Sequence, residues 1–194
     1  LELIHTDVCG PMKTPSIGGA KYFVTFIDDF SRFTTLFLMK QKSEVYAFFL
    51  RFRAAAEKLT GKTIKTLRSD HGGEYSSAIF AKCLSDAGIH HQFSTVYTPE
   101  QNGVAERYNR TVVESARTMM HAAALHHSFW GEAIMASCYI KNRLPHSSLN
   151  KADTPYSLWY DQKPEIQHLR IYGCTAFAHI PKQKRHKFDN TAQK

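Results

Sequence analysis

The sequence lacks several features that would assign its class at once. No run of apolar residues approaches eighteen, so we expect no membrane-spanning segment. The first five residues, "LELIH", contain neither an initiator Met nor the basic stretch of a secretory signal, which indicates an internal piece of a longer polypeptide. Internal repeats and low-complexity tracts are also absent.

Cysteine is scarce and widely spaced. The four cysteines form no CxxC pair and have no neighbouring His at zinc-ligand spacing; they are Cys9, Cys83, Cys138 and Cys174. We therefore expect reduced, mostly buried thiols in an intracellular protein, with no disulfides.

Acidic residues are outnumbered. The 194 residues include 25 Lys and Arg against 17 Asp and Glu, for a formal net charge of +8, with 11 His in addition. This balance favours a polyanionic partner over a neutral small molecule. The 43% hydrophobic and 22% charged content is that of a folded globular chain, long enough for one domain or one domain with an extension.

Five strands are predicted, in two groups. Three come early and are joined by short turns, which favours antiparallel pairing: residues 1–8, 21–30 and 32–40, with a hairpin at Ser31-Arg32. Two more, residues 63–70 and 89–94, are separated by helical segments, which favours parallel pairing.

Four helices are predicted between and after these strands. The first begins with Ser43 as its N-cap and ends at Gly61; the others cover residues 76–87, 103–125 and 128–143. The fold class is therefore α/β, with a mixed five-stranded sheet, three antiparallel strands followed by two parallel ones, flanked by helices.

Two carboxylates follow strands that we expect to be neighbours. Asp7 and Asp70 end the first and fourth strands, and parallel strands would bring both to one sheet edge, where α/β proteins place ligands. Glu106 lies in the first turn of the long helix. A helical projection predicts its apolar stripe at Val104, Tyr108, Ser115, Met119 and Ala122, and its polar face at Glu106, Asn109, Arg110, Glu114, Arg117 and His121.

Three converging carboxylates repel one another unless cations neutralise them. Oxygen ligands with open positions suit Mg²⁺ or Mn²⁺, and two such ions support in-line phosphoryl transfer. The alternative for any single Asp at a strand end is a turn former. Asp28 and Asp29 are interpreted as the start of a hairpin, and Glu74 as a residue of a helix first turn.

Several blocks resemble an integrase catalytic core of copia-type (Pseudoviridae) retrotransposons, in the retroviral integrase superfamily. They are "HTDVCGP" around Asp7, "LRSDHGGEY" around Asp70 and "TPEQNGVAERYNRT" around Glu106, supported by "FIDDFSR", "FWGEAIMASCYIKNRLP", "TPYSLWYDQKP" and "LRIYGCTAFAHIP". Thirty-five residues separate Asp70 from Glu106, which is the spacing of that family.

The resemblance implies a ribonuclease H-like core over residues 1–145, with a C-terminal extension and basic tail over 146–194. It implies catalytic and metal-binding roles for Asp7, Asp70 and Glu106, with Asp7 shared by two Mg²⁺ (or Mn²⁺) ions. Which of Asp70 and Glu106 holds which ion stays open. Candidate DNA contacts are Lys65, Arg68, Gln101, Asn102, Arg107, Arg110 and Arg117.

The implied reaction joins a cDNA 3′-hydroxyl end to double-stranded target DNA, by a homo-oligomer. It would act in the nucleus after passage through a cytoplasmic virus-like particle. The family's zinc module would lie before residue 1. Two alternatives remain: a ribonuclease H-like nuclease using the same metals, and a catalytically inactive, domesticated DNA-binding domain.

Overall fold

The centre of the molecule is a five-stranded sheet, seen in a computed structural model that describes residues 1–94 and 103–193. The strands are β1 (Leu3–Cys9), β2 (Tyr22–Asp28), β3 (Thr34–Met39), β4 (Thr66–Ser69) and β5 (His90–Phe93). Their order across the sheet is β3-β2-β1-β4-β5. The first three pair antiparallel, whereas β4 runs parallel to β1 and β5 parallel to β4. The predicted mixed sheet is confirmed.

Within the described residues, five α-helices accompany the sheet: α1 (Val45–Thr60), α2 (Ala78–Asp86), α3 (Gly103–Ala122), α4 (Trp130–Arg143) and α5 (Pro155–Tyr160). Two short strands, β6 (Ala178–His179) and β7 (Ala192–Gln193), pair antiparallel apart from the main sheet. Short 3-10 turns occur at Lys42–Glu44, His127–Phe129 and Lys182–Lys184. No helix in these described ranges is long and apolar enough to cross a membrane.

The predicted end of α1 is confirmed, but its predicted start is wrong. Gly61 adopts a left-handed φ of 67°, which a glycine takes without a Cβ clash. Ser43 does not cap the helix, because it lies inside the 3-10 turn that precedes Val45. The carboxylate of Glu44 accepts the backbone N–H groups of Lys40 and Gln41 instead, and so orders the entry to the helix.

Apolar side chains cover both faces of the sheet. On one face α1 and α2 pack through aromatic rings, with the centroids of Phe26 and Phe52 4.8 Å apart and those of Phe49 and Phe80 5.2 Å apart. On the other face α3 and α4 pack against β2 and β3 through residues such as Val112 and Ile134. Burying both faces is what an internal sheet of this kind requires.

Asn142 of α4 forms hydrogen bonds with the backbone of Thr34 at the outer edge of β3. Its side-chain Oδ1 accepts from the backbone N–H of Thr34 at 2.9 Å, and its Nδ2 donates to the carbonyl of Thr34 at 2.8 Å. Both residues are buried, so water is not available to replace these bonds. The pair of bonds therefore fixes α4 against the first edge of the sheet.

The chain after residue 145 is in contact with the sheet domain through α5. Trp159 stacks on Phe33 with ring centroids 4.8 Å apart. Beyond α5 most side chains are exposed, including Ile171 and Phe188. The proposed boundary between 1–145 and 146–194 stays a prediction.

The four cysteines carry free thiols in the structure. Cys138 is buried, Cys9 and Cys83 are half-buried, and Cys174 is exposed. Burial, and for Cys9 also the charge of Asp7, raises the pKa of Cys9 and of Cys138 to about 11, so both thiols are protonated at neutral pH.

Replacing Asn142 by Ala should lower the free energy of unfolding by about 2–4 kcal/mol, because it leaves two buried backbone groups of Thr34 without these partners, at about 1–3 kcal/mol for each. Urea unfolding would measure the loss. The control is Asn150→Ala, since Asn150 is exposed and bonds only to Asp153. A loss below about 1 kcal/mol for Asn142→Ala would contradict the role assigned to this side chain.

Candidate active site

The parallel pairing of β1 and β4 determines where two carboxylates lie. His5 of β1 is opposite Arg68 of β4 in the register, and Asp7 and Asp70 each come two residues later. They therefore extend from neighbouring strands at the same edge of the sheet, as the sequence predicts. The backbone N–H of Gly72 donates to Oδ1 of Asp70 at 3.0 Å and orients that carboxylate.

The predicted apolar stripe of α3 is wrong by one residue. The buried positions are Ala105, Asn109, Val112, Ala116 and Met120. Val104, Tyr108, Ser115 and Met119 are only half-buried and Ala122 is exposed, which amounts to a rotation of about 100°. The small side chains of Ala105 and Ala116 allow this face to approach the sheet closely.

Asn109 is a residue of this site that the sequence prediction missed. The helical projection places it on the polar face of α3, but it is buried. Its Nδ2 donates to Oδ2 of Asp7 at 2.9 Å, while its Oδ1 accepts from the hydroxyl of Thr25 at 3.0 Å. Thr25 is the cross-strand neighbour of Asp7. One amide thus joins α3 to both β1 and β2.

Glu106 is exposed in the first turn of α3 and shares a cavity with Asp7. The cavity measures about 410 Å³ and also includes Arg110, Glu114 and Arg117. Asp70 does not line this cavity, but the charge of Asp70 raises the pKa of Asp7. The predicted sideways projection of Glu106 from the helix start agrees with this arrangement.

Burial raises the pKa of the Asp7 carboxyl from its usual 3.8 to about 6, and the negative charges of Asp70 and Glu106 add to the rise. The hydrogen bonds from Asn109 and from the backbone of Val8 oppose it. A carboxyl with a raised folded-state pKa binds its proton more tightly in the folded state. Its contribution to stability is therefore present at low pH and is lost as pH rises between 3.8 and about 6.

Glu74 does not lie in a helix first turn, as the sequence suggested, because α2 begins only at Ala78. Its carboxylate receives Lys42 Nζ at 3.0 Å and lies against Gly72, next to Asp70. A Cβ at position 72 would approach the carboxylate carbon of Glu74 to 2.8 Å and Oδ1 of Asp70 to 3.0 Å. The lack of a side chain at Gly72 lets these two acids share this corner.

Asp28 and Asp29 behave as predicted for a hairpin. Oδ2 of Asp28 accepts the backbone N–H and the hydroxyl of Ser31, and Arg32 adopts a left-handed φ of 60° in the turn. Oδ1 of Asp29 contacts the buried ring of His5 at 2.8 Å. Both carboxylates therefore have structural partners away from Asp7.

The donor chemistry of the site suits a hard divalent cation, since Asp7, Asp70 and Glu106 offer only carboxylate oxygens, and the charges of Asp70 and Glu106 act on Asp7. In the described part of the chain, no three His, Cys, Asp or Glu side chains are gathered into a metal-ligand cluster. The carboxylates therefore influence one another electrostatically without forming a closed set of ligands.

The candidate DNA contacts lie in different places. Arg110 and Arg117 line the cavity with Asp7, whereas Arg107 projects to the other flank of α3. Lys65 is paired with Glu2 at 2.7 Å and Arg68 bonds to Gln92. Gln101 and Asn102, and the predicted loop 95–102 that contains them, lie outside the described residues.

Comparison with known proteins decides the family. Residues 1–99, about half of the chain, match the integrase core domain family. The chain belongs to this family. The integrase core is 47% identical over 190 residues to the retrovirus-related Pol polyprotein from transposon TNT 1-94 of Nicotiana tabacum. It is 34% and 32% identical to those from transposons RE2 and RE1 of Arabidopsis thaliana. The predicted membership in the copia-type branch is confirmed.

The match covers 98–100% of this chain but only 13–14% of these curated relatives. Solved structures give the fold. A simian T-cell lymphotropic virus intasome, solved with PP2A regulatory subunit B56 gamma, superposes with a TM-score of 0.65 at 16% identity, covering 100% of this chain and 66% of that one. The HTLV-2 integrase catalytic core domain with magnesium, in a trimeric form, gives 0.59 at 18% identity, covering 81% and 95%. The ribonuclease H-like fold is confirmed.

Replacing Asn109 by Ala should raise the pKa of Asp7 by about one unit or more. A hydrogen bond to a charged group contributes about 1.5–3 kcal/mol, and one pKa unit corresponds to about 1.4 kcal/mol. Carbon-13 NMR titration of the Asp7 carboxyl in metal-free protein would measure the change, with Asn150→Ala as the control. An unchanged pKa in Asn109→Ala would show that the bond does not influence the charge of Asp7.

Proposed function

We propose that this integrase core is the catalytic part of a DDE polynucleotidyl transferase that joins retrotransposon cDNA 3′-hydroxyl ends to target DNA. The observation that carries the proposal is the placement of Asp7 and Asp70 at one sheet edge, with Glu106 near enough to influence the charge of Asp7. Family membership makes strand transfer the reaction that best fits these carboxylates.

In this proposal Asp7, Asp70 and Glu106 hold two Mg²⁺ or Mn²⁺ ions. Bound ions would activate the attacking oxygen and stabilise the leaving one in an in-line displacement. Asn109 holds Asp7 in position and favours its charged form through the bond to Oδ2. This chemistry needs no covalent protein intermediate, because the attacking and leaving oxygens both belong to DNA.

The proposed substrate is double-stranded DNA, both the element ends and the target. Arg110 and Arg117 are exposed on the same flank of α3 as Glu106, where cations contact phosphates and contribute affinity without reading sequence. The two solved relatives are a trimeric form and an intasome. We propose by analogy that this chain also works as a homo-oligomer, in the nucleus, after passage through a cytoplasmic particle.

Each of Asp7→Asn, Asp70→Asn and Glu106→Gln should lower strand transfer at least about a hundredfold, because each removes an anionic oxygen that stabilises the reaction. The assay would use the full-length integrase of the element, a labelled donor end and Mn²⁺ or Mg²⁺. Glu132→Gln is the matched control, since Glu132 also lies exposed in a helix first turn.

If Asp70→Asn and Glu106→Gln gave as much joined DNA product as the wild-type protein, the assignment of the three carboxylates would be overturned. Metal-dependent release of short fragments without a joined product would identify a nuclease. DNA binding without any metal-dependent product would identify a binding domain. The control variant should retain activity in every case.

Mg²⁺ should raise the melting temperature of the wild-type integrase at pH 7.5, because a ligand that binds only the folded state stabilises it by about 2.7 kcal/mol at a hundred times its Kd. The rise should shrink at pH 5, where the Asp7 carboxyl, with its pKa of about 6, is mostly protonated. It should also shrink in Asp7→Asn. Calorimetry would measure it, and an equal rise in wild type and Asp7→Asn would place the cation elsewhere.

A further inference from the structure

A second cavity lies on the opposite flank of α3 from Asp7. It measures about 340 Å³ and is formed where the start of α3 meets the end of α4 and the segment that follows it. Its polar lining includes Arg32, Arg107, Lys141, His146, Ser147 and Ser148. No carboxylate is found among the described residues that line it.

The positive charge of this cavity is only partly compensated. Arg32 pairs with Asp29 at 3.1 Å, and Asp29 also contacts His5. Arg107 and Lys141 have no acidic partner within 4.0 Å among the residues that the structure describes. Within the described ranges, the cavity therefore presents two cations, Arg107 and Lys141, that no acidic side chain pairs with.

His146 adds a directed donor. Its Nδ1 accepts the backbone N–H of Ser148 at 3.2 Å, so a neutral ring carries its proton on Nε2. Burial lowers the pKa of His146, and the charges of Arg32 and Lys141 lower it further. Arg32 and Lys141 are therefore close enough to the imidazole for their charges to influence it.

We propose that this cavity binds a backbone phosphate of a DNA strand. Arg107 and Lys141, the imidazole of His146 and the hydroxyl of Ser147 form a set of donors that phosphate oxygens accept from, whereas the Ser148 hydroxyl donates to Nδ1 of His146 at 2.8 Å. Arg107 directly follows Glu106, so the two residues project from the first turn of α3 about 100° apart. A strand with its reacting phosphate at Glu106 would pass this cavity.

A helix with its side chains is about 10–12 Å across, so the phosphate held here would be a different one from the phosphate that reacts beside Glu106. This assignment rests on the proposed function for its choice of nucleic acid, whereas the affinity of the cavity for phosphate does not require catalysis.

The test measures DNA affinity against salt, using full-length integrase carrying Glu106→Gln so that no joining occurs. Fluorescence anisotropy with a labelled duplex unrelated to the element ends, between about 50 and 200 mM NaCl, gives the slope of log K against log salt. Arg107→Gln and Lys141→Gln should each reduce its magnitude by about 0.9, because each removes one phosphate contact. Lys58→Gln should leave it unchanged, since Lys58 is exposed on α1 across the sheet.

Lys141→Arg keeps the charge and should restore the wild-type slope, which separates the phosphate contact from any effect on folding. An unchanged slope in both glutamine variants would overturn the proposal. The proposal would also be overturned if the glutamine variants kept the wild-type slope but sedimented as smaller oligomers. That result would show that the cavity holds an acidic group of a second copy and not a phosphate. If strand transfer did not depend on Asp70, the proposed function would be contradicted. The salt slopes, and the phosphate site inferred from them, would not be affected.

Discussion

The amide of Asn109 is the contact on which the arrangement of the site depends. Through one buried and one partly buried hydrogen bond, it joins the helix that carries Glu106 to Thr25 of β2 and Asp7 of β1. A carboxylate only accepts hydrogen bonds and Thr25 donates to Oδ1, so the amide has one satisfactory orientation. This orientation fixes the rotation of α3 about its axis. Glu106, three residues earlier, then lies exposed at the cavity that Asp7 lines.

The electrostatics of this corner are unfavourable for the protein alone. The chain carries a formal net charge of +8, yet the pKa of Asp7 is raised to about 6 by burial and by neighbouring carboxylates. The excess of basic residues over the whole chain therefore does not offset the effect of burial and of the Asp70 and Glu106 charges on Asp7. A carboxyl group that is shielded from water and lies near other carboxylates is unfavourable for stability. Such an arrangement is expected at functional sites, where a bound cation neutralises the negative charges.

Much of this could be predicted from sequence. Strand patterns and short turns predict the sheet, and its parallel neighbours β1 and β4 bring Asp7 and Asp70 to one edge. Asp7 does not end its strand as predicted, because β1 continues to Cys9, whereas Asp70 directly follows β4. The rotation of α3 could not be predicted, since a hydropathy projection assigns every polar residue to solvent, whereas Asn109 is buried by partners distant in sequence. The position of Glu74 was missed for a similar reason, because its partner Lys42 comes from the entry to α1.

The corrected rotation of α3 also explains how one helix serves two kinds of surface. With Ala105 and Asn109 facing the sheet, Glu106 falls on the flank of the carboxylates and Arg107 on the flank of the basic cavity. Had Val104 and Tyr108 faced the sheet, both charged residues would have turned by about 100° and this division would be lost. The rotation of α3 thus places Glu106 in the cavity of Asp7, together with Arg110 and Arg117, and places Arg107 in the second cavity. The hydrogen bonds of one buried asparagine therefore help to determine which charged residues share a cavity.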